Sequence, residues 1–214
     1  MNYKNIFDKQ VGMVRGRFQN GQWFKPFYPD HRESYITEGT PRQYTFYVPH
    51  DIPGLLKMMG GAKKLEHSLD SLFEKKEYWH GNEPGHQIPF LYNYTPAPWK
   101  AQKQVEKILN EEYDEGAGGL SGNDDAGQMS AWYVFASMGF YPVDPVSGNY
   151  QLVTPAFPEV TMDFKNGHVL RIKVVRSKDA SIIKKITLNG KVLKNYQVNH
   201  KQLTAGGELI YYLQ

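Results

Sequence analysis

An α+β fold is what the sequence predicts, with helices before Tyr150 and strands after it. Three observations predict it. Leu65, Leu69, Leu72 and Phe73 recur at helical spacing as one apolar stripe. Val169, Arg171, Lys173 and Val175 alternate with Leu170, Ile172 and Val174 in a strand-like run. Asn189-Gly190 separates Ile186-Thr187-Leu188 from Lys191-Val192-Leu193, and Asn-Gly suits the type I′ turn of a hairpin. The change of pattern divides the chain into a helical part, residues 1–149, and a β region, residues 150–214.

The elements follow in order. Residues 1–48 are irregular and aromatic, with Trp23, Phe24, Phe27 and Tyr28 among Gly and Pro, as in a long structured loop. Helical pattern begins near Asp51, and Gly60-Gly61 separates a short segment containing Leu55 and Leu56 from the Leu65 helix. A further helix is expected from Trp99, just after Pro98. Its stripe is Val105, Ile108, Leu109 and Tyr113, and Gly116–Gly119 ends it. The next is expected to start at Asn123-Asp124-Asp125, with Met129, Trp132, Tyr133 and Ala136 as its stripe and Gly139 as its stop. Leu209–Leu213 reads as a final strand.

Composition removes several function classes. With 214 residues, 40% of them hydrophobic, the chain can bury one large core or two small ones. Its net charge of +3 is dispersed, and Lys184-Lys185 is the longest basic run near the C-terminus, so no clustered face for nucleic acid is expected. The absence of Cys excludes disulfides, thiol catalysis and Cys-ligated zinc. No run approaches the ~20 apolar residues of a membrane span. The N-terminus, Met1-Asn2-Tyr3-Lys4-Asn5, carries no apolar signal segment.

Three segments place a carboxylate beside Gly or Pro, in a loop or at a helix start: Thr37-Glu38-Gly39-Thr40, Gly81-Asn82-Glu83-Pro84 and Gly122-Asn123-Asp124-Asp125. Glycine lets a backbone approach a ligand, and loops on a rigid scaffold carry function. Each segment alone also has a bland explanation. Asn123 or Asp124 can cap a helix, Glu83 can serve an ion pair, and Glu38 can be a surface acid. Together they offer more. Glycoside hydrolysis uses one acid to protonate the leaving oxygen and one carboxylate to activate water or attack. A hard cation needs several oxygen ligands, and Asn82, Glu83 and the Gly81 carbonyl are oxygen donors in one loop. Spacing alone does not say which carboxylate does which job. His50-Asp51 lacks a nucleophile motif. His80 and His86 flank Glu83 without a third His, which favours substrate-binding or structural roles over zinc.

These segments resemble glycoside hydrolase family 92, a group of Ca2+-dependent, exo-acting α-mannosidases. The similarity runs from Thr37-Glu38-Gly39-Thr40 through Val48-Pro49-His50-Asp51 and Gly81-Asn82-Glu83-Pro84. It continues from Gly122-Asn123-Asp124-Asp125 through Ala126-Gly127-Gln128-Met129-Ser130-Ala131-Trp132-Tyr133 to Gly139-Phe140-Tyr141-Pro142. The resemblance implies an inverting mechanism on terminal α-linked mannose, α-1,2-linked by preference. It makes Glu38 similar to the general acid and Asp125 to the general base, with Asn123 and Asp124 in support. Gly81, Asn82 and Glu83 look like the Ca2+ ligands, and Arg42, His80 and His86 like substrate contacts. Some relatives carry Asp at the position of Asn123, and many carry Trp at that of Arg42.

The same resemblance implies the architecture. The family's enzymes are several times longer, with an N-terminal β-sandwich and an (α/α)6 barrel. Residues 1–149 are then expected to be the later helices of the barrel, and residues 150–214 a C-terminal β-sandwich-like region. Met1 would be a start within a longer enzyme whose missing N-terminal part is its partner, periplasmic or secreted as a whole. A mannose-containing glycan is the expected ligand. The isolated 214-residue chain is expected to be inactive, because half a barrel exposes apolar helix faces. The rival readings are a non-catalytic carbohydrate-binding fragment and a purely structural helical domain.

Overall fold

In the computed structural model, which describes residues 1–178 and 180–214, the chain divides between Ile88 and Pro89 into two units. The first, Met1–Ile88, is built from short helices and loops. It opens with α1 (Tyr3–Ile6) and the antiparallel pair β1 (Phe7–Asp8) and β2 (Met13–Val14). The aromatic segment that follows is organised around one cation. Arg15 pairs with Asp8 at 3.0 Å, donates to the Phe24 carbonyl, and lies over the Phe27 ring at 4.8 Å. Both charged side chains are largely buried, which their pairing makes tolerable.

Helix α2 (Pro41–Tyr44) starts on a capping box. Thr40 Oγ1 accepts from Gln43 N, and Gln43 Oε1 accepts from Thr40 N. Pro41 at the first helical position lacks only an N–H that the helix would not use. Asp51 caps α3 (Ile52–Met59) by accepting from Gly54 N, and it also accepts from the Tyr3 hydroxyl at 2.7 Å. The His50-Asp51 pair is therefore a helix start. Gly60, at φ 88, ends α3 in the left-handed conformation that glycine adopts without penalty. Helix α4 (Ala62–Glu74) buries Leu65, Leu69 and Leu72, as its stripe predicts, while Phe73 is half-buried against Tyr78.

The second unit, Pro89–Gln214, holds three α-helices among its described residues, the last of them short, together with all the longer strands. Helix α5 (Trp99–Glu111) begins after Pro98 and buries Ala101, Gln102, Val105 and Ile108. It stops at Glu111, ahead of the glycine run, so Tyr113 lies beyond it. Helix α6 (Gln128–Ser137) starts later than the sequence suggests. Asp125, Ala126 and Gly127 have φ values of 46, 58 and 93, and three left-handed residues in succession cannot belong to a right-handed helix. Met129, Trp132 and Ala136 are buried, whereas Tyr133 is 39% exposed.

Strands begin at Phe140, ahead of the compositional change at Tyr150: β3 (Phe140–Asp144), β4 (Asn149–Leu152), β5 (Glu159–Asp163), β6 (Val169–Arg176), β7 (Ile183–Leu188), β8 (Lys191–Val192), β9 (Gln197–Asn199) and, after α7 (His200–Thr204), β10 (Gly207–Leu213). The register of β3 on β4 shifts between Tyr141 and Asp144, where Pro142 interrupts the ladder. One sheet has the order β3-β4-β9, the other β5-β6-β10-β7-β8. The β7–β8 hairpin turns at Asn189 and Gly190, both with positive φ as a type I′ turn demands. Strand β10 runs parallel to β6 and antiparallel to β7. Leu209, Tyr211 and Leu213 on its inner face join Leu170, Ile172, Ile186, Phe140 and Leu152, so one apolar core draws on both sheets. The Tyr211 hydroxyl, fully buried, donates to the Gly139 carbonyl at 2.9 Å. Among the described residues, no helix is long and apolar enough to cross a membrane.

Candidate active site

Within the first unit, the structure gathers Glu38, Asn82 and Glu83 around one phenol. Tyr44, the last residue of α2, donates to the Thr37 carbonyl at 2.6 Å. Asn82 lines the same small cavity as Tyr44, and the Glu38 and Glu83 carboxylates both act on the phenol electrostatically. Burial raises the Tyr44 phenol above its ordinary pKa; the Asn82 side chain lowers it, and Glu38 and Glu83 raise it further. A ring contact completes the join: Gly39 lies so close to Tyr44 that a Cβ there would overlap the ring.

Glu38 itself is exposed and has φ 66, the left-handed region that a non-glycine residue enters at a cost. The loop around it is fixed by the Thr40–Gln43 capping box. Gln43 also donates through Nε2 to the Glu77 carbonyl at 2.7 Å, tying α2 to the segment that leads to Asn82.

In the Tyr78–His86 segment, both histidines hydrogen-bond to groups of the segment itself. His80 Nδ1 is hydrogen-bonded to the Tyr78 hydroxyl at 2.8 Å, and His86 Nε2–H donates to the His80 carbonyl at 3.0 Å. The two imidazoles lie 4.8 Å apart, and each residue is only 1% exposed. Burial, and then the His86 ring, brings His80 down to about 3. Burial brings His86 down to about 4, against the opposing effect of its hydrogen bond. Both rings are therefore neutral at physiological pH, and they face protein rather than solvent. Arg42 is likewise turned away from the Tyr44 cluster. It pairs with Glu77 and lines a cavity of about 200 Å³ with Thr45, Met59, His67 and Ser71, whereas Tyr44 and Asn82 line a separate, smaller one.

As metal donors, Asn82 and Glu83 present an amide oxygen and a carboxylate, and Gly81 a buried backbone carbonyl beside them. Glu83 Oε1 is closed to solvent. Among the described residues, no group of three or more His, Cys, Asp and Glu is placed to hold a metal. A small all-oxygen set suits a hard cation that completes its shell with water or substrate, and does not suit zinc.

In the second unit, Asn123, Asp124 and Asp125 form the turn before α6. Asp124 holds the helix start: its Oδ1 accepts from both Ser130 N and Ser130 Oγ at 3.0 Å, and its carbonyl accepts from Gln128 N at 2.7 Å. That engages Asp124 as a cap. Asp125, next in sequence, is exposed in the left-handed region, with its carboxylate presented to solvent. Trp132 anchors the helix behind this turn. It is fully buried, stacked on Tyr113 and edge-on to Phe90.

Tyr44, which contacts Thr37 and Gly39 on either side of Glu38, is a position that sequence reasoning did not single out. Its signal was faint: an aromatic one turn after a capping box, next to an acid loop.

The catalytic-domain model of glycosyl hydrolase family 92 matches residues 1–214. A family 92 α-mannosidase structure from Bacteroides thetaiotaomicron is 36% identical, with a TM-score of 0.91 over 99% of this chain and 30% of that one. A family 92 inverting mannosidase from the same organism is 30% identical, with a TM-score of 0.90 over 100% of this chain and 32% of that one. A relative from Arthroderma benhamiae, described as an uncharacterized secreted glycosidase, is 29% identical over 93% of this chain and 28% of its own length. The chain thus spans about a third or less of the length of these relatives.

Proposed function

The chain belongs to glycosyl hydrolase family 92, and on that premise we propose that it is the C-terminal portion of an exo-acting, inverting α-mannosidase acting on terminal α-1,2-linked mannose. The observation that carries this reading is the cluster around Tyr44, where an acid loop and an oxygen-donor loop meet at one side chain. In the proposed mechanism, Glu38 in its acid form protonates the glycosidic oxygen. Asp125 takes a proton from the water that attacks the anomeric carbon on the opposite face. Such a pair works with its carboxyl groups roughly 6.5–9.5 Å apart, leaving room for the water. Asn123 and Asp124 support the base, Asp124 by fixing the start of α6. His80 and His86 act by shaping the Asn82–Glu83 loop, and Arg42 acts with Glu77 beside α2.

Gly81, Asn82 and Glu83 are the residues that would hold Ca2+. When bound, the ion supplies Lewis-acid and template effects on the hydroxyls of the terminal sugar. Secretion or periplasmic export is the corresponding location, in line with the secreted relative.

Three experiments on the full-length enzyme test the reading. Glu38→Gln and Asp125→Asn should each lower kcat on α-1,2-mannobiose by about 10²–10⁴-fold, the usual worth of a general acid or base. They should leave thermal stability within ~0.5 kcal/mol, as near-isosteric surface changes do. NMR of early product should show β-mannose, and an α-anomer would refute inversion. Chelation should remove activity and added Ca2+ should restore it; an enzyme indifferent to chelator would refute the metal assignment.

A further inference from the structure

We propose that Tyr44 is a positioning residue, which sets the Glu38 carboxyl in place by gripping the backbone on both sides of it and bringing that loop beside Asn82. The inference rests on the reading of Glu38 as the proton donor.

Among the described residues, no hydrogen bond or ion pair holds the Glu38 carboxylate itself, so its backbone decides where it points. That backbone is in a costly conformation, φ 66, which persists only where neighbours enforce it. Tyr44 touches both neighbours. Its hydroxyl donates to the carbonyl of Thr37, and its ring fills the space that a side chain on Gly39 would need. Asn82 lines the same small cavity as Tyr44. One phenol therefore fixes the acid loop and relates it to the loop of the candidate cation ligands. The capping box and the Gln43–Glu77 bond are independent of that hydroxyl, so removing it should leave α2 and the frame intact.

The test is Tyr44→Phe in the full-length enzyme, which keeps the ring and removes the hydroxyl. Two substrates separate positioning of the acid from general damage. Cleavage of α-1,2-mannobiose needs a proton on a poor leaving group. Cleavage of 2,4-dinitrophenyl α-mannoside does not, because its leaving group departs as a stable anion. Since a general acid contributes about 10²–10⁴-fold, Tyr44→Phe should lower kcat on the disaccharide at least ~10-fold and on the activated substrate less than ~3-fold. Glu38→Gln, run alongside, should give the same split on a larger scale. Gly39→Ala, which displaces the Tyr44 ring but keeps its hydroxyl, is the second variant and should split the substrates in the same direction. Equal losses on both substrates in both variants, or a disaccharide rate within ~2-fold of wild type, would overturn the proposal. If Glu38→Gln shows no split, the acid assignment falls and takes the inference with it. If Glu38→Gln splits the substrates and the other two variants do not, the inference alone falls.

Discussion

The two candidate catalytic acids both have positive φ but sit in loops built by different means. Glu38 and Asp125 both have positive φ and exposed side chains. The Glu38 turn is closed by Gly39 N on the Thr37 carbonyl at 2.9 Å, and it is also held from a distance: Tyr44 reaches back to Thr37, and Asn82 and Glu77 arrive from another segment. The Asp125 loop is held locally. Asp124 caps Ser130, its carbonyl receives Gln128 N, and the helix behind it is anchored by Trp132. An acid can thus be aimed either by tertiary contacts or by a helix start. The first arrangement couples the acid to other functional groups, and the second gives it a rigid mount.

Three stability measurements would break or sharpen that contrast. The largest effect is expected from Trp132→Ala. Removing a fully buried indole from a cluster of stacked rings should cost about 3–5 kcal/mol, read from denaturant midpoints. A loss below ~1 kcal/mol would mean that α6 is not the mount proposed for Asp125.

Next is a matched pair of glycines. Gly39 has an unremarkable φ but no room for a Cβ, because the Tyr44 ring occupies it. Gly127 has ample room but φ 93. Gly39→Ala should cost about 1–3 kcal/mol by overpacking, and Gly127→Ala about 1–2 kcal/mol by left-handed strain. A second substitution, Tyr44→Ala, should rescue Gly39→Ala by removing the ring, and should not rescue Gly127→Ala. Rescue of neither would detach Tyr44 from the Glu38 loop.

The smallest effect is expected from Asp124→Ala. Loss of a helix cap should cost about 1 kcal/mol. Asp124→Asn, which keeps an accepting oxygen, should recover most of it. If Asp124→Asn instead lowers kcat by as much as Asp125→Asn does, Asp124 shares the base role and is more than a cap.

Much of the helical part was legible in residue spacing. Leu65, Leu69 and Leu72 are buried as their period requires, and α5 begins after Pro98. The Asn189-Gly190 hairpin, the strand at Val169–Arg176 and the final strand were legible for the same reason: period and turn chemistry are local. The start of α6 was misplaced, because three successive left-handed residues leave no apolar signature. Strands β3 and β4 were overlooked because Pro142 interrupts one and the other is short and polar at its start. Helix α7 was also missed, although Asn199 and Gln202 form a capping box that the sequence spells out.

By itself, the sequence determined the types of its longer elements, the family to which it belongs and the three acid-bearing segments. Local propensity, periodicity and motif are written in neighbouring residues, so no folding is needed to read them. Only the tertiary structure decided that β10 lies between β6 and β7, that His80 and His86 are buried, and that Arg42 pairs with Glu77. It alone brought Glu38, Asn82 and Glu83 to the same phenol. These are contacts between residues far apart in the chain. They form where burial and hydrogen bonding of the whole unit are best satisfied, and no spacing within a segment encodes them.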